Sequence, residues 1–426
     1  MKKKGIKITI FIVLIIISLL TIFIFVKKDY DRKLKIKKEE EQKAKIIQDI
    51  KKHYGEVVVT NKDTKLYLKE NNKYKESGQV AKNRELTLEK LENITFNNKY
   101  LKLSNLKDYY VYYENIDKKE KPDVKEERYK RYIPFNLNAS TREKTNLYDK
   151  DNNLIYTFNK SMSFPVIIKE EERKGVIFDN ELLFLKNEEI DIKENNNTNE
   201  KSTPSIAVLN YHFFYDENDL SSIKECGNQE ICMPMRTFKN HIKYIKDNNF
   251  FTPTMREFDL YLNKKINLPK SVLITIDDGW LMDRGIKYME EEKINGTVFL
   301  ITTNYGDYDY SKDYKYIEFH SHGDDLHHTG KRWLHCPGGQ GGPIKCLNHD
   351  ELLKDLKTTR EKLHNTTYFC YPFYEYNDYA IKALKEAGFT LAFAGARRKA
   401  YPGVNRYVVP RYPILNSMIS IANIVN

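Results

Sequence analysis

Residues 271–279 read SVLITIDDG. Val272 to Ile276 run without a charge and end in Asp277-Asp278-Gly279. An unbroken apolar run of this length suits a strand buried on both faces, the situation of a parallel sheet. Two adjacent carboxylates at the end of such a strand are costly unless one binds a cation or takes up a proton. A turn role for Asp-Asp-Gly accounts for one of them and poorly for both.

The same alternation recurs on either side. Strands are predicted over 205–211, 297–301, 316–320, 368–371 and 391–394, and helices over 238–248, 255–262, 283–293, 351–363 and 379–387. This order predicts an α/β fold with a mostly parallel sheet or barrel, and places chemistry at the C-terminal ends of the strands. Five of the ten histidines lie between His320 and His335, and four residues separate His322 from His327 in SHGDDLH. Together with an Asp, two neutral imidazoles suit a borderline divalent ion such as Zn²⁺ and leave positions open for water. A loop of solvated histidines is the plainer reading, and the Asp277-Asp278 pair weighs against it.

Thr275-Ile-Asp-Asp-Gly279 resembles the first motif of the polysaccharide deacetylases, the NodB-homology carbohydrate esterases of family 4. EFHSHGDDLHH (318–328) resembles their second motif, in the form of the exopolysaccharide and biofilm poly-N-acetylglucosamine deacetylases. FCYPFYEYND (369–378) looks like the third motif, and LNYH (209–212) like the segment that opens the domain. The resemblance spans about residues 205–415. It implies a distorted (β/α) barrel that hydrolyses N-acetyl groups on an N-acetylglucosamine-containing cell-surface polysaccharide. Asp278, His322 and His327 would be the metal ligands, and Asp277 the general base. The backbone N–H of Phe373 would stabilise the oxyanion.

Three departures from the family pattern stand out. Gly323 replaces the usual Ser or Thr after the first metal histidine, and the Arg of the common third motif is absent. No late Leu-x-x-His segment supplies a general acid, which leaves His212 or His328 to substitute. Arg411 would either orient Asp277 or merely pin a terminal strand. A catalytically weak or inactive glycan-binding relative is the alternative.

The 426 residues hold 71 Lys plus Arg against 60 Asp plus Glu, a net +11. Six lysines fall in the first 28 residues, where there is no acid, so the remainder carries only +5. No basic helix or zinc-finger spacing accompanies the charge, and a nucleic-acid partner is not expected. Residues 8–26 are apolar apart from Thr9, Ser18 and Thr21, and as a helix they rise about 28 Å, enough to span a bilayer core. Residues 1–28 are therefore expected to be a cytoplasmic tip and an uncleaved membrane anchor, with the catalytic part outside the cell. Residues 29–53 read as a charged helical stalk. Residues 54–118 and 119–193 read as two small all-β modules, similar to bacterial SH3-like domains, that either bind glycan or act as a spacer. The polar stretch 194–204 reads as a linker into the catalytic domain, 205–426. Cys226 with Cys232 and Cys336 with Cys346 are candidate disulfides of an exported chain, leaving Cys370 as a buried thiol; a second Zn²⁺ site beside His335 is the rival.

Overall fold

The computed structural model describes every residue except Met1, 54–56, 91–98, 122–126, 195–200, 227–228, 306–308 and 329–342. Two compact units result, one of residues 1–125 with 141–162, the other of 126–140 with 163–426.

In the first unit the expected anchor and stalk form one continuous helix, α1 (Lys2–His53). Its apolar residues from Phe11 to Val26 are exposed, and it is long and apolar enough to cross a membrane. At its far end Ile50 is fully buried. Six antiparallel strands follow in the order Thr145–Tyr148, Leu154–Phe158, Lys73–Val80, Thr64–Glu70, Tyr109–Tyr112 and Tyr100–Lys102. A three-stranded sheet of Glu85–Thr87, Val57–Thr60 and Ile116–Lys118 completes the unit.

This arrangement corrects the expectation of two successive β modules. Tyr156 pairs with Val80 across a ladder that joins residues of both expected modules. The buried Phe158 packs edge-on against Tyr109, so the 154–158 strand completes the core of the first set. Residues 126–140 and 163–194 belong instead to the second unit. There Tyr132, Ile167 and Ile168 join an apolar cluster with Phe251, Phe258 and Ile266. Arg128 and Tyr132 both bond the carboxylate of Glu257, fixing that strap in place. Most of the expected 194–204 linker lies outside the described residues.

The second unit is built on seven parallel strands closed into a barrel: β1 (Ala207–Tyr211), β2 (Val272–Asp278), β3 (Gly296–Leu300), β4 (Ile317–Ser321), β5 (Tyr368–Cys370), β6 (Leu391–Ala396) and β7 (Val409–Pro413). β7 returns beside β1, closing the ring. All seven residues of β2 are buried, its uncharged stretch Val272–Ile276 as a strand walled on both faces should be, and the two carboxylates at its end with it. Outside the strands lie α2 (Met235–Asp247), α3 (Met255–Leu262), α4 (Asp283–Glu291), α5 (His349–Lys362) and α6 (Asp378–Ala387). α2 buries Phe238, His241, Ile242 and Ile245, one helical stripe, against the strands. Capping boxes at Thr254–Glu257 and Asn348–Glu351 start α3 and α5, satisfying N–H groups that have no partner within the helix. The parallel register sets Asn210 beside Thr275, Asp277 beside Phe299, and Arg411 beside Ala396, which brings the strand ends to one rim.

Candidate active site

Side chains on a strand alternate between faces, so neighbouring residues should point apart. Asp277 and Asp278 escape this because β2 ends there. Asp278 takes φ +74°, a left-handed conformation that Asp tolerates better than most residues. The turn aims its carboxylate at the loop after β4. Oδ1 of Asp278 lies 3.3 Å from Nε2 of His322 and 3.3 Å from Nε2 of His327.

These three donor atoms lie within 4.8 Å of one another. Asp278 Oδ1 is buried and has no hydrogen-bond partner, which would be expensive in an interior without a cation. His322 Nδ1 donates to the Cys370 carbonyl at 2.9 Å, leaving Nε2 to face Asp278. Burial would lower the pKa of His322, but Cys370, Asp277 and Asp278 outweigh it and raise it well above the ordinary value. Positive charge is thus favoured at His322, while burial and the His322 charge lower the pKa of His327 despite Asp278. Two imidazoles, one carboxylate and an orphaned oxygen fit a divalent cation such as Zn²⁺.

Asp277 faces the barrel interior and meets Arg411. The guanidinium makes a two-pronged contact, Nη1 to Oδ1 at 2.8 Å and Nη2 to Oδ2 at 2.9 Å. Arg411 is fully buried and also donates to Asn210 Oδ1 at 3.1 Å. Burial alone would raise the pKa of Asp277. The Arg411 charge and hydrogen bonds, with the nearby imidazoles of His322 and His212, hold it well below the carboxylate range. Asn210 in turn donates to the Tyr374 hydroxyl at 2.7 Å. The Cys370 sulfur sits 2.8 Å from Arg411 Nη2 and 3.4 Å from Asp277 Oδ2. A second donor group, Asp277 with His322 and Cys370, is therefore already engaged by Arg411.

The remaining expected residues fall around this pair. His212 follows β1, with Nδ1 buried and unbonded, and burial lowers its pKa. His328 turns to Asp325, bonding its Oδ1 at 2.5 Å. Phe373 follows Pro372 with φ +55°, and its ring stacks on His327 at 4.2 Å. Cys226 and Cys232 form a disulfide and Cys370 is a buried free thiol; the other expected pair includes Cys336, which lies outside the described residues, as does His335.

The loop 321–328 is held from behind by α5, a contact that the sequence reading overlooked. Asp355 accepts the backbone N–H groups of Asp324 at 2.9 Å and Asp325 at 2.7 Å. One turn on, Thr359 shares a hydrogen bond with Ser321 at 2.9 Å, and Lys362 pairs with Asp324 at 2.8 Å. Gly323 takes φ +89°, and a Cβ there would stand 3.0 Å from Leu326 Cβ. Its N–H is received by the Ser321 hydroxyl at 3.1 Å. The departure from Ser or Thr at this position thus has a backbone reason.

The polysaccharide deacetylase family model matches residues 264–392. A poly-β-1,6-N-acetyl-D-glucosamine N-deacetylase of Staphylococcus aureus is 29% identical over 234 residues, 49% of this chain and 78% of that one. Its counterpart from Staphylococcus epidermidis is 27% identical over 241 residues, 50% of this chain and 80% of that one. A solved de-N-acetylase from Aggregatibacter actinomycetemcomitans is similar over 51% of this chain and 99% of that chain, at 19% identity and a TM-score of 0.42. With a closed parallel barrel, an Asp-Asp strand end and this family match, residues 264–392 carry a polysaccharide deacetylase domain.

Proposed function

We propose that the chain is a metal-dependent hydrolase that removes N-acetyl groups from an N-acetylglucosamine polysaccharide at the cell surface, with a poly-β-1,6-linked chain as its substrate. The observation that carries this reading is the split of the carboxylate pair: Asp278 joins two histidines, and Asp277 is locked to Arg411. α1 would hold the enzyme on the membrane with the barrel outside, in keeping with the Cys226–Cys232 disulfide.

Asp278, His322 and His327 would hold a divalent ion, most suitably Zn²⁺, which when bound polarises the acetamide carbonyl and makes water acidic. Asp277, kept ionised by Arg411, takes the proton from the attacking water. The N–H of Phe373 is offered to the oxyanion that forms on the amide carbon. The C–N bond then breaks, the nitrogen needs a proton, and acetate and a free amine result. His212 has a free ring nitrogen beside both carboxylates. Neutral before turnover because burial lowers its pKa, it receives from Asp277 the proton taken from the water and delivers it to the leaving nitrogen.

The test is acetate release from a panel of acetylated glycans (β-1,6- and β-1,4-linked N-acetylglucosamine, and peptidoglycan), with metal content measured on the same sample. Release from the β-1,6 polymer, abolished by chelation and restored by Zn²⁺, is expected. No acetate from any member with metal present overturns the reading.

A further inference from the structure

The outward face of the six-stranded sheet in the first unit has no role in the barrel chemistry. Leu66, Leu101 and Val111 turn inward and are almost wholly buried. On the opposite face of the same strands stand Tyr67, Tyr74, Tyr100, Tyr110 and Tyr112, each half-buried. Tyr74 and Tyr100 stack at 4.2 Å. Tyr67 meets Tyr100 edge-on at 4.9 Å, Tyr110 meets Tyr74 at 5.1 Å, and Tyr112 lies 5.3 Å from Tyr100. The water-facing side of an antiparallel sheet ordinarily carries small or charged polar residues. Five contiguous tyrosines are not needed to build the core, which the leucines and Val111 supply from the other side. They make a surface of ring faces, ring edges and hydroxyls.

The charges around the rings decide among partners. Lys65 is paired with Glu76 at 2.5 Å and Lys102 with Glu89 at 2.7 Å. Lys69 lies over the Tyr74 ring at 5.8 Å. The three lysines are thus nearly balanced by two glutamates. Such a surface has no field for a polyanion, which needs several uncompensated cations. Among the described residues it lacks the Leu, Phe or Trp wedges and the cluster of free basic residues with which a protein face enters a bilayer. Its small positive excess also disfavours a polycation. An uncharged pyranose chain satisfies every term. The C–H bonds on one face of a pyranose are weakly positive and settle on the negative faces of aromatic rings, and its hydroxyls bond the phenol groups at the rim.

We propose that this tyrosine face binds an uncharged hexopyranose polymer, namely the still-acetylated glycan. The identity of the polymer rests on the function proposed above; the surface itself does not. Deacetylation turns the polymer into a polyamine, so the same face would keep substrate and release product.

The test uses the full chain in detergent, carrying Asp277→Asn so that no hydrolysis is read. Its binding is measured on immobilised, fully N-acetylated β-1,6-linked glucosamine polymer and on the same polymer after chemical deacetylation. Tighter binding to the acetylated form is expected, weakened about tenfold by Tyr74→Ala with Tyr100→Ala and kept within about twofold by the matching Phe pair, which preserves the rings. Equal binding by parent and Ala pair overturns the proposal, as does an absence of glycan binding together with phosphatidylglycerol-vesicle binding that the Ala pair loses. If the Ala pair loses its melting transition, hydroxyl-radical footprinting of the parent decides: these five tyrosines gain protection on adding polymer, and unchanged oxidation overturns the proposal. Since hydrolysis is not read, failure here leaves the acetate assay untouched.

Discussion

Asp277 and Asp278 are chemical twins whose environments separate them. Asp277→Asn removes the proposed proton acceptor, and kcat should fall by about 10²–10⁴-fold with bound metal retained, since the proposed ligands Asp278, His322 and His327 are intact. Loss of metal in this variant would place Asp277 among the ligands instead. The same substitution leaves the buried Arg411 without its counter-charge, so the barrel should lose stability. The sign of the pH dependence follows from the lowered pKa of Asp277. Its contribution is present above the unfolded value, about 3.9, and disappears as pH falls toward the lower folded value. The stability gap between parent and variant should therefore narrow below about pH 4, and a gap that widens there contradicts the ion pair. Gly323→Thr would force a branched residue to φ +89° against Leu326, and should weaken metal binding about tenfold, read by titration. These residues stood out in the sequence by type and spacing. Asn210, Cys370 and Tyr374 did not, because their part depends on Arg411 reaching them from the last strand, 201 residues after Asn210 in the case of that pair. No local pattern records such a contact.

At the scale of the element, α5 was legible as a helix from Leu352, Leu353, Leu356 and Leu363, a pattern that says nothing of its polar side. Asp355, Thr359 and Lys362 recur at helical spacing and grip the 321–328 loop with four separate bonds. A sequence shows the spacing and not what lies opposite. Asp355→Asn replaces one acceptor oxygen with an NH₂ group that faces a backbone N–H. One hydrogen bond is lost and an unpaired donor left, a cost of about 1–3 kcal/mol. Metal affinity should drop about 10- to 100-fold, as when groups that orient metal ligands are removed. Unchanged affinity would reduce α5 to packing. Burial pushes the pKa of Asp355 up to about 7, against the pull of the two N–H groups. With an unfolded value near 3.9, the folded state holds the extra proton between about pH 4 and 7, so this group's contribution to stability falls as pH rises across that window. Asp355→Asn should remove that slope. Melting temperatures of parent and variant measured from pH 4 to 7 give the comparison, and parallel curves would contradict it.

For the whole molecule, the barrel was readable because each of its units is local: a buried strand, a turn bearing chemistry, then an amphipathic helix. The first unit was not, since its sheet joins strands far apart in sequence, with Tyr156 beside Val80, and short alternating strands carry no mark of their partners. α1 is the reverse case, wholly local. Sixteen consecutive positions from Phe11 to Val26 are exposed on every side of the helix, and among them only Ser18 and Thr21 are polar. Thr21 returns its hydroxyl to the backbone carbonyls of Ile17 and Ser18, so even that polar group is satisfied within the helix. Leaving so many large apolar side chains in water is unfavourable by roughly 1.5–3 kcal/mol each, while a bilayer accepts them all and the helix already meets its own backbone hydrogen bonds. Under the proposed anchoring, the full chain should sediment with membranes and stay there through alkaline carbonate and high salt, which strip proteins held by charge. Deleting residues 2–28 should move it to the soluble fraction with acetate release per molecule retained, because every residue of the carboxylate–histidine site belongs to the barrel unit. Release of the full chain by carbonate, or a mature protein whose first residue lies beyond Val26, would make the segment a peripheral or cleaved sequence rather than an anchor.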